Sequence, residues 1–181
     1  TDKSNYSTGV VNASYDSDYE YKLRVRTGSA DVTNLILYTN IEEGHNGRGH
    51  WKGKFLGMDT TYAESKGYKI KTYYSENTNA MSMKEDNSWK EYNDSIDKSK
   101  VKSLAFVFQD GEGKPAVLPA NSLTYILIKM KAPSNENIKT LAYNNSWTEW
   151  NAIDSITKEP VDFITGINIE LEHGLVDPKT N

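Results

Sequence analysis

The chain has 181 residues, with 25 acidic against 21 basic side chains and a formal charge of −4. That length suits one domain with a real core, and the mild acidity excludes the basic stripe that nucleic-acid binding requires. Cysteine is absent, which excludes disulfides, thiolate metal sites and cysteine nucleophiles. No apolar run approaches the roughly twenty residues of a membrane span, so no direct membrane insertion is expected.

Thr1–Ser17 is polar, with Val10-Val11 as its apolar pair, and reads as a short edge strand or a linker, residues 1–15 being linker-like. Asp18–Arg26 then alternates strictly. Tyr19, Tyr21, Leu23 and Val25 fall on one side, and Glu20, Lys22, Arg24 and Arg26 on the other. A period of two is the mark of a half-buried strand. Gly28–Asp31 supplies turn residues, and Val32–Thr39 resumes as a second strand. Glu42–Gly53 is a Gly-rich loop, followed by predicted strands at Trp51–Met58 and Gly67–Tyr74. Between these two, Asp59–Glu64 has the form of one capped helical turn.

Ser75–Lys100 is irregular, with a short strand expected near Ser88–Tyr92 and a helical turn near Asp94–Lys98. Val101–Gln109 reads as a core strand, with Leu104, Phe106 and Phe108 on one face. Ser122–Lys131 is another, closed by Pro133. Ile138–Trp147 and Phe163–Leu171 complete the set, and residues 175–181 read as an exit into a linker. Eight or nine strands without a βαβ alternation imply an all-β fold. Residues 1–181 are expected to form a single domain of two antiparallel sheets packed face to face. The chain has neither an initiator Met nor a signal peptide, and an excised domain is expected.

Four stretches carry a resemblance. Tyr19–Ile41 (YEYKLRVRTGSADVTNLILYTNI) resembles the first hairpin of the immunoglobulin-like repeat domains of Gram-positive cell-surface proteins. Pro119–Pro133 (PANSLTYILIKMKAP) is similar to their Pro-Gly-x-Ser strand, and Leu141–Asn151 (LAYNNSWTEWN) to the strand that follows it. Ile167–Asn181 (INIELEHGLVDPKTN) is similar to their last strand and linker. The resemblance implies an immunoglobulin-like sandwich, extracellular and anchored to the cell wall through a larger parent protein. Such a module would be a non-enzymatic adhesin or stalk domain. Its partners would be neighbouring modules of the same polypeptide, and a host protein or glycan. It also implies a possible isopeptide between a Lys and an Asn beside a buried carboxylate, with Lys22 and Asn144 or Asn145 as the candidate parts. Against that stands the position of Lys22 on the polar face, where a solvated Lys is the plain reading.

Other constellations weigh against bland alternatives. His45 and His50, with Glu42 and Glu43 upstream, hold zinc-capable groups, but their spacing matches no closed site and a polar loop explains them. Asp16, Asp18 and Glu20 alternate and offer oxygens to calcium, or form an acidic strand edge; otherwise no cofactor is expected. Glu149 and Asp154 beside two Trp suggest a glycosidase pair, although carboxylate pairs arise freely in so acidic a chain. Trp147, Trp150 and Tyr73 are candidate contacts for a carbohydrate or a protein partner, and Trp150 is expected to be the exposed one. Trp51 and Trp89 are expected in the core. The alternative reading is therefore a carbohydrate-binding module of a secreted enzyme.

Overall fold

The computed structural model describes residues 6–7, 13–42, 51–134, 142, 144–162 and 169–176. Long strands form at β2 (Asp18–Thr27), β3 (Val32–Asn40), β4 (Lys54–Asp59), β5 (Lys69–Ser75), β7 (Ser103–Gln109), β8 (Leu123–Lys131), β9 (Asn145–Ile153) and β11 (Ile169–Val176). Three two-residue strands, β1 (Tyr6–Ser7), β6 (Lys90–Glu91) and β10 (Pro160–Val161), extend the sheet edges. The single α-helix among the described residues, α1 (Thr61–Ser65), joins β4 to β5. Its first turn is held by the Asp59 carboxylate, which accepts from the Thr61 N–H at 2.9 Å.

The first sheet runs β1-β11-β2-β8-β4 and the second β10-β9-β3-β7-β5-β6, and every pairing among the described residues is antiparallel. The chain is thus an all-β sandwich of two antiparallel sheets. Period two sets what each strand buries. Tyr21, Leu23 and Val25 of β2 meet Leu35 and Leu37 of β3, Leu104, Phe106 and Phe108 of β7, and Ile126 and Ile128 of β8 in one core cluster.

Several boundaries differ from the sequence expectation. The start of the chain follows the edge-strand alternative, with β1 pairing at the sheet edge with the end of β11, Tyr6 opposite Val176, whereas Leu175–Val176, expected in a linker, belong to β11. The strand expected to end at Trp147 continues to Ile153, because β3 offers Val32 and Thr33 as partners for Ala152 and Asn151. The remainder of that expected strand, 138–141 and Tyr143, and the predicted stretch 163–168 lie outside the described residues. The helical turn expected near Asp94–Lys98 forms a little later as a 3-10 turn at Lys98–Lys100, where Asp97 accepts from the Ser99 N–H. In the irregular stretch from Ser75 to Lys100, Ser82, Met83 and Trp89 lie on the outward face of the second sheet, Lys90–Glu91 adds to its edge as β6, and Tyr92 and Ile96 pack against the core.

Candidate functional site

Three polar and aromatic clusters stand out. The first joins the two sheets at one end of the sandwich. Tyr19 and Tyr21 point inward from β2, and their hydroxyls need acceptors once buried. Glu42, just past the end of β3, supplies them. Tyr19 donates to both carboxylate oxygens at 2.7 and 2.6 Å, and Tyr21 donates to Oε2 at 2.7 Å. The Gly53 N–H, leading into β4, donates to Oε1 at 2.8 Å. Glu42 is only 1 % exposed, and its backbone adopts a φ of +45°, a conformation that L-residues rarely adopt. The Asn144 side chain fixes that backbone, since the Glu42 N–H donates to Oδ1 at 3.3 Å while Nδ2 donates to Thr39 at 2.7 Å.

The electrostatics follow from this enclosure. Burial pushes the Glu42 carboxyl up, while the Tyr19 and Tyr21 hydroxyls, the Gly53 amide and the nearby Lys52 pull it down. Burial also pushes both phenols up, with the Glu42 charge acting in the same direction. The tyrosines therefore remain donors, and the arrangement joins the layers.

The second cluster lies on the outward face of the second sheet. Tyr38 is fully buried there, stacked on Trp147 at 5.0 Å and tilted against Trp89 at 5.7 Å. Its hydroxyl donates to Glu149 and accepts from the Met83 N–H at 3.0 Å. Ser82 donates to both Glu149 oxygens at 2.8 and 2.9 Å, and the Trp89 indole N–H donates to the Met81 carbonyl at 2.8 Å. One row along, Asn145 donates to Asn40, Asn40 to Ser103, and Ser103 to the Asn77 carbonyl. These bonds clasp the segment to the sheet at Asn77, Ser82 and Met83. Tyr38→Phe is expected to cost about 1–2 kcal/mol, because the Met83 amide loses its acceptor. Urea unfolding measures the loss, and faster hydrogen exchange at Met83 localises it.

The third cluster covers the outward face of the first sheet. Tyr62 of α1 stacks on Tyr125 of β8 at 4.1 Å, and the Lys22 ammonium lies 4.5 Å from the Tyr125 ring centre. Beside it, Arg24 pairs with Glu172 of β11.

The candidate residues are placed as follows. Lys22 does lie on the face opposite Tyr21 and Leu23, but it is 6 % exposed, with its ammonium over the Tyr125 ring, on which Tyr62 of α1 stacks. Asn144 and Asn145 sit at the start of β9 in the other sheet, engaged with Thr39 and Asn40. The structure does not bring Lys22 to either. The intact mass is accordingly expected to equal that of the sequence, and a mass lower by one ammonia would contradict this placement. Asp16 sits in a turn with φ +56° and Glu20 is half-buried on β2, and the described residues hold no group of three metal-ligating side chains. Asp16, Asp18 and Glu20 are thus not gathered into such a group. His45 and His50 lie outside the described residues, and Glu42 is engaged by the tyrosines.

Trp150 is not the exposed ring. It faces inward and packs against the core, while Trp147, on the opposite face of β9, stacks on Tyr38. Trp89 packs on the outward face of the second sheet, not in the core. Tyr73 is half-buried at the sheet edge, with the Lys71 ammonium 5.5 Å from its ring centre. Glu149 is engaged by Tyr38 and Ser82, whereas Asp154 caps a turn, accepting from the Ile156 and Thr157 N–H groups at 2.8 Å. The two carboxylates do not form a facing pair. The Glu42 cluster escaped sequence reasoning, although two tyrosines on a core face already call for a buried acceptor.

Fold and clusters together define the chain as an all-β sandwich with polar cross-links between and over its layers. Comparisons with protein-family models, curated proteins and solved structures return no match to this chain.

Proposed function

We propose that the chain is a non-catalytic module of a bacterial cell-surface protein, built to hold its shape and present a surface to a partner. One observation carries this reading: the buried carboxylate, Glu42, is engaged in joining the two sheets. The carboxylates considered for catalysis, Glu149 and Asp154, likewise hold a clasp and a turn. The sequence resemblance at both ends of the chain supports the surface setting.

The pairing of Tyr6 with Val176 favours a lobe over an in-line spacer, because the first strand begins beside the end of the last. A lobe attached at that end presents the opposite end, with the β2–β3, β7–β8 and β9–β10 loops, away from its attachment. Of the rings considered for a carbohydrate platform, Trp150 faces inward, Trp147 stacks on Tyr38 and Tyr73 is half-buried beside Lys71, so they do not form one flat row. The test is surface labelling of intact source cells with antibody against the chain, before and after external protease. Labelling that protease removes is expected. An epitope reached only after lysis would overturn the reading.

A further inference from the structure

A cleft of about 760 Å³ opens between the free edges of the two sheets, on the side where β4 and β5 are joined by α1. That size lies within the range of small-ligand sites, which combine an apolar floor with a few converging polar groups. Here the floor is Met58, Ile70 and Tyr92. Around it stand Lys69 and Lys71 from β5, Glu91 from β6 and Asp94 just beyond it. Two cations and two anions cancel. Asn93 and Gln109 add two amides, each able to donate and accept.

We infer that this cleft is a binding site for a neutral oligosaccharide. The balanced rim gives no net attraction for phosphate, sulfate or a polyanion, which would need a cationic excess. It is too polar for a lipid or another apolar ligand. A neutral sugar presents hydroxyls that both donate and accept, and C–H faces that rest on apolar side chains. Amides, ammonium groups and carboxylates around an apolar floor match that pattern.

Tyr92 adds a second observation. Its ring packs edge-on against Phe55 and Tyr74, and its buried hydroxyl has no hydrogen-bond partner among the described residues. Burial pushes this phenol up, so it stays a donor at ordinary pH. An added peptide strand fits less well. Tyr92 already donates its N–H to the Thr72 carbonyl, and the chain turns through Asn93–Ile96 along the line such a strand would occupy.

This goes beyond the surface-module reading and is tested separately from it. The experiment titrates the ¹⁵N-labelled chain with neutral gluco-, galacto-, manno- and N-acetylglucosamine oligosaccharides, a sulfated saccharide and an alternating acidic–apolar peptide. At least one neutral oligosaccharide is expected to shift the amides of Ile70, Lys71, Asn93 and Gln109, with Kd at or below roughly millimolar. Asn93→Ala and Gln109→Ala are each expected to weaken that binding by about tenfold, the loss of one well-placed hydrogen bond. Both side chains lie at the rim, so an unchanged Tm shows that the fold is kept. Silence at those amides with every neutral sugar, shifts confined to the Trp147 face, or preference for the sulfated sugar or the peptide would each overturn the inference.

Discussion

Replacing Glu42 by alanine is expected to destabilise the chain by about 4 kcal/mol, because three donors lose their acceptor together. Tyr19, Tyr21 and the Gly53 amide all converge on this one carboxylate, and neither hydroxyl has room to turn toward water. Each stranded buried donor costs roughly 1–3 kcal/mol, and the positive φ at residue 42 loses the contacts that hold it. For a chain of this size the loss corresponds to a fall in Tm on the order of 10 °C. Glu42→Gln keeps one acceptor oxygen and should lose less than half as much. Urea midpoints of the two variants check the order, and a double-mutant cycle with Tyr21→Phe tests whether the cost belongs to this contact.

The same carboxylate gives a pH dependence of definite sign. Burial raises Glu42 above the ordinary value of 4.5, so the folded chain holds this proton more tightly than the unfolded chain. Its contribution is fully present below the unfolded value and is lost as pH rises through the raised folded one. The stability of the parent chain relative to Glu42→Gln should therefore decline across that window and level off above it. Paired urea midpoints over a pH series measure the difference, in which titrations common to both chains cancel. A relative stability that climbs across the same window would mean the three donors outweigh burial.

Strand placement was legible where one face is greasy and the other polar. Alternation in Asp18–Arg26 assigns Tyr19, Tyr21, Leu23 and Val25 to the core correctly, because a one-residue slip would expose all four. What alternation cannot tell is whether an outward face is wet. Lys22 points outward as read, yet it is buried with its ammonium over Tyr125, a ring that itself stacks on Tyr62 of a helix forty residues downstream. Tyr38 is covered by a segment as irregular as 76–100 for the same reason: the cover is built from single contacts through Trp89, Ser82 and Met83, which leave no period.

Trp150 went astray through a boundary. Ending the strand at Trp147 places Trp150 in a loop, whereas continuing it to Ile153 puts the two indoles on opposite faces by parity. Glu42 was legible as a chemically capable group, but its near neighbours His45 and His50 suggested a metal. Its true partners lie 21 and 23 residues upstream, on a strand of the other sheet. Chain proximity favoured the wrong partner, and the unmet hydroxyls of a core-facing Tyr pair were the better signal.

Gly53→Ala is expected to be nearly as damaging, by a different route. A Cβ at this position would stand 2.1 Å from the Tyr19 hydroxyl, 2.8 Å from the Lys131 carbonyl and 3.0 Å from Glu42 Oε1. The hydroxyl sits at the end of a ring held by Tyr21 and Trp51, and the carbonyl belongs to a strand paired on both sides. Neither can retreat without moving its element, so the methyl group must push Tyr19 off Glu42 or lift the start of β4 from β8. Overpacking of this kind costs about 1–3 kcal/mol, and the broken Tyr19–Glu42 bond adds roughly another 1–2. The sum, about 2–5 kcal/mol, should appear in urea unfolding. Tyr19→Phe in the Gly53→Ala background removes the oxygen the methyl strikes first and should restore part of the loss. No recovery would assign the clash to the Lys131 carbonyl and the β4–β8 pairing.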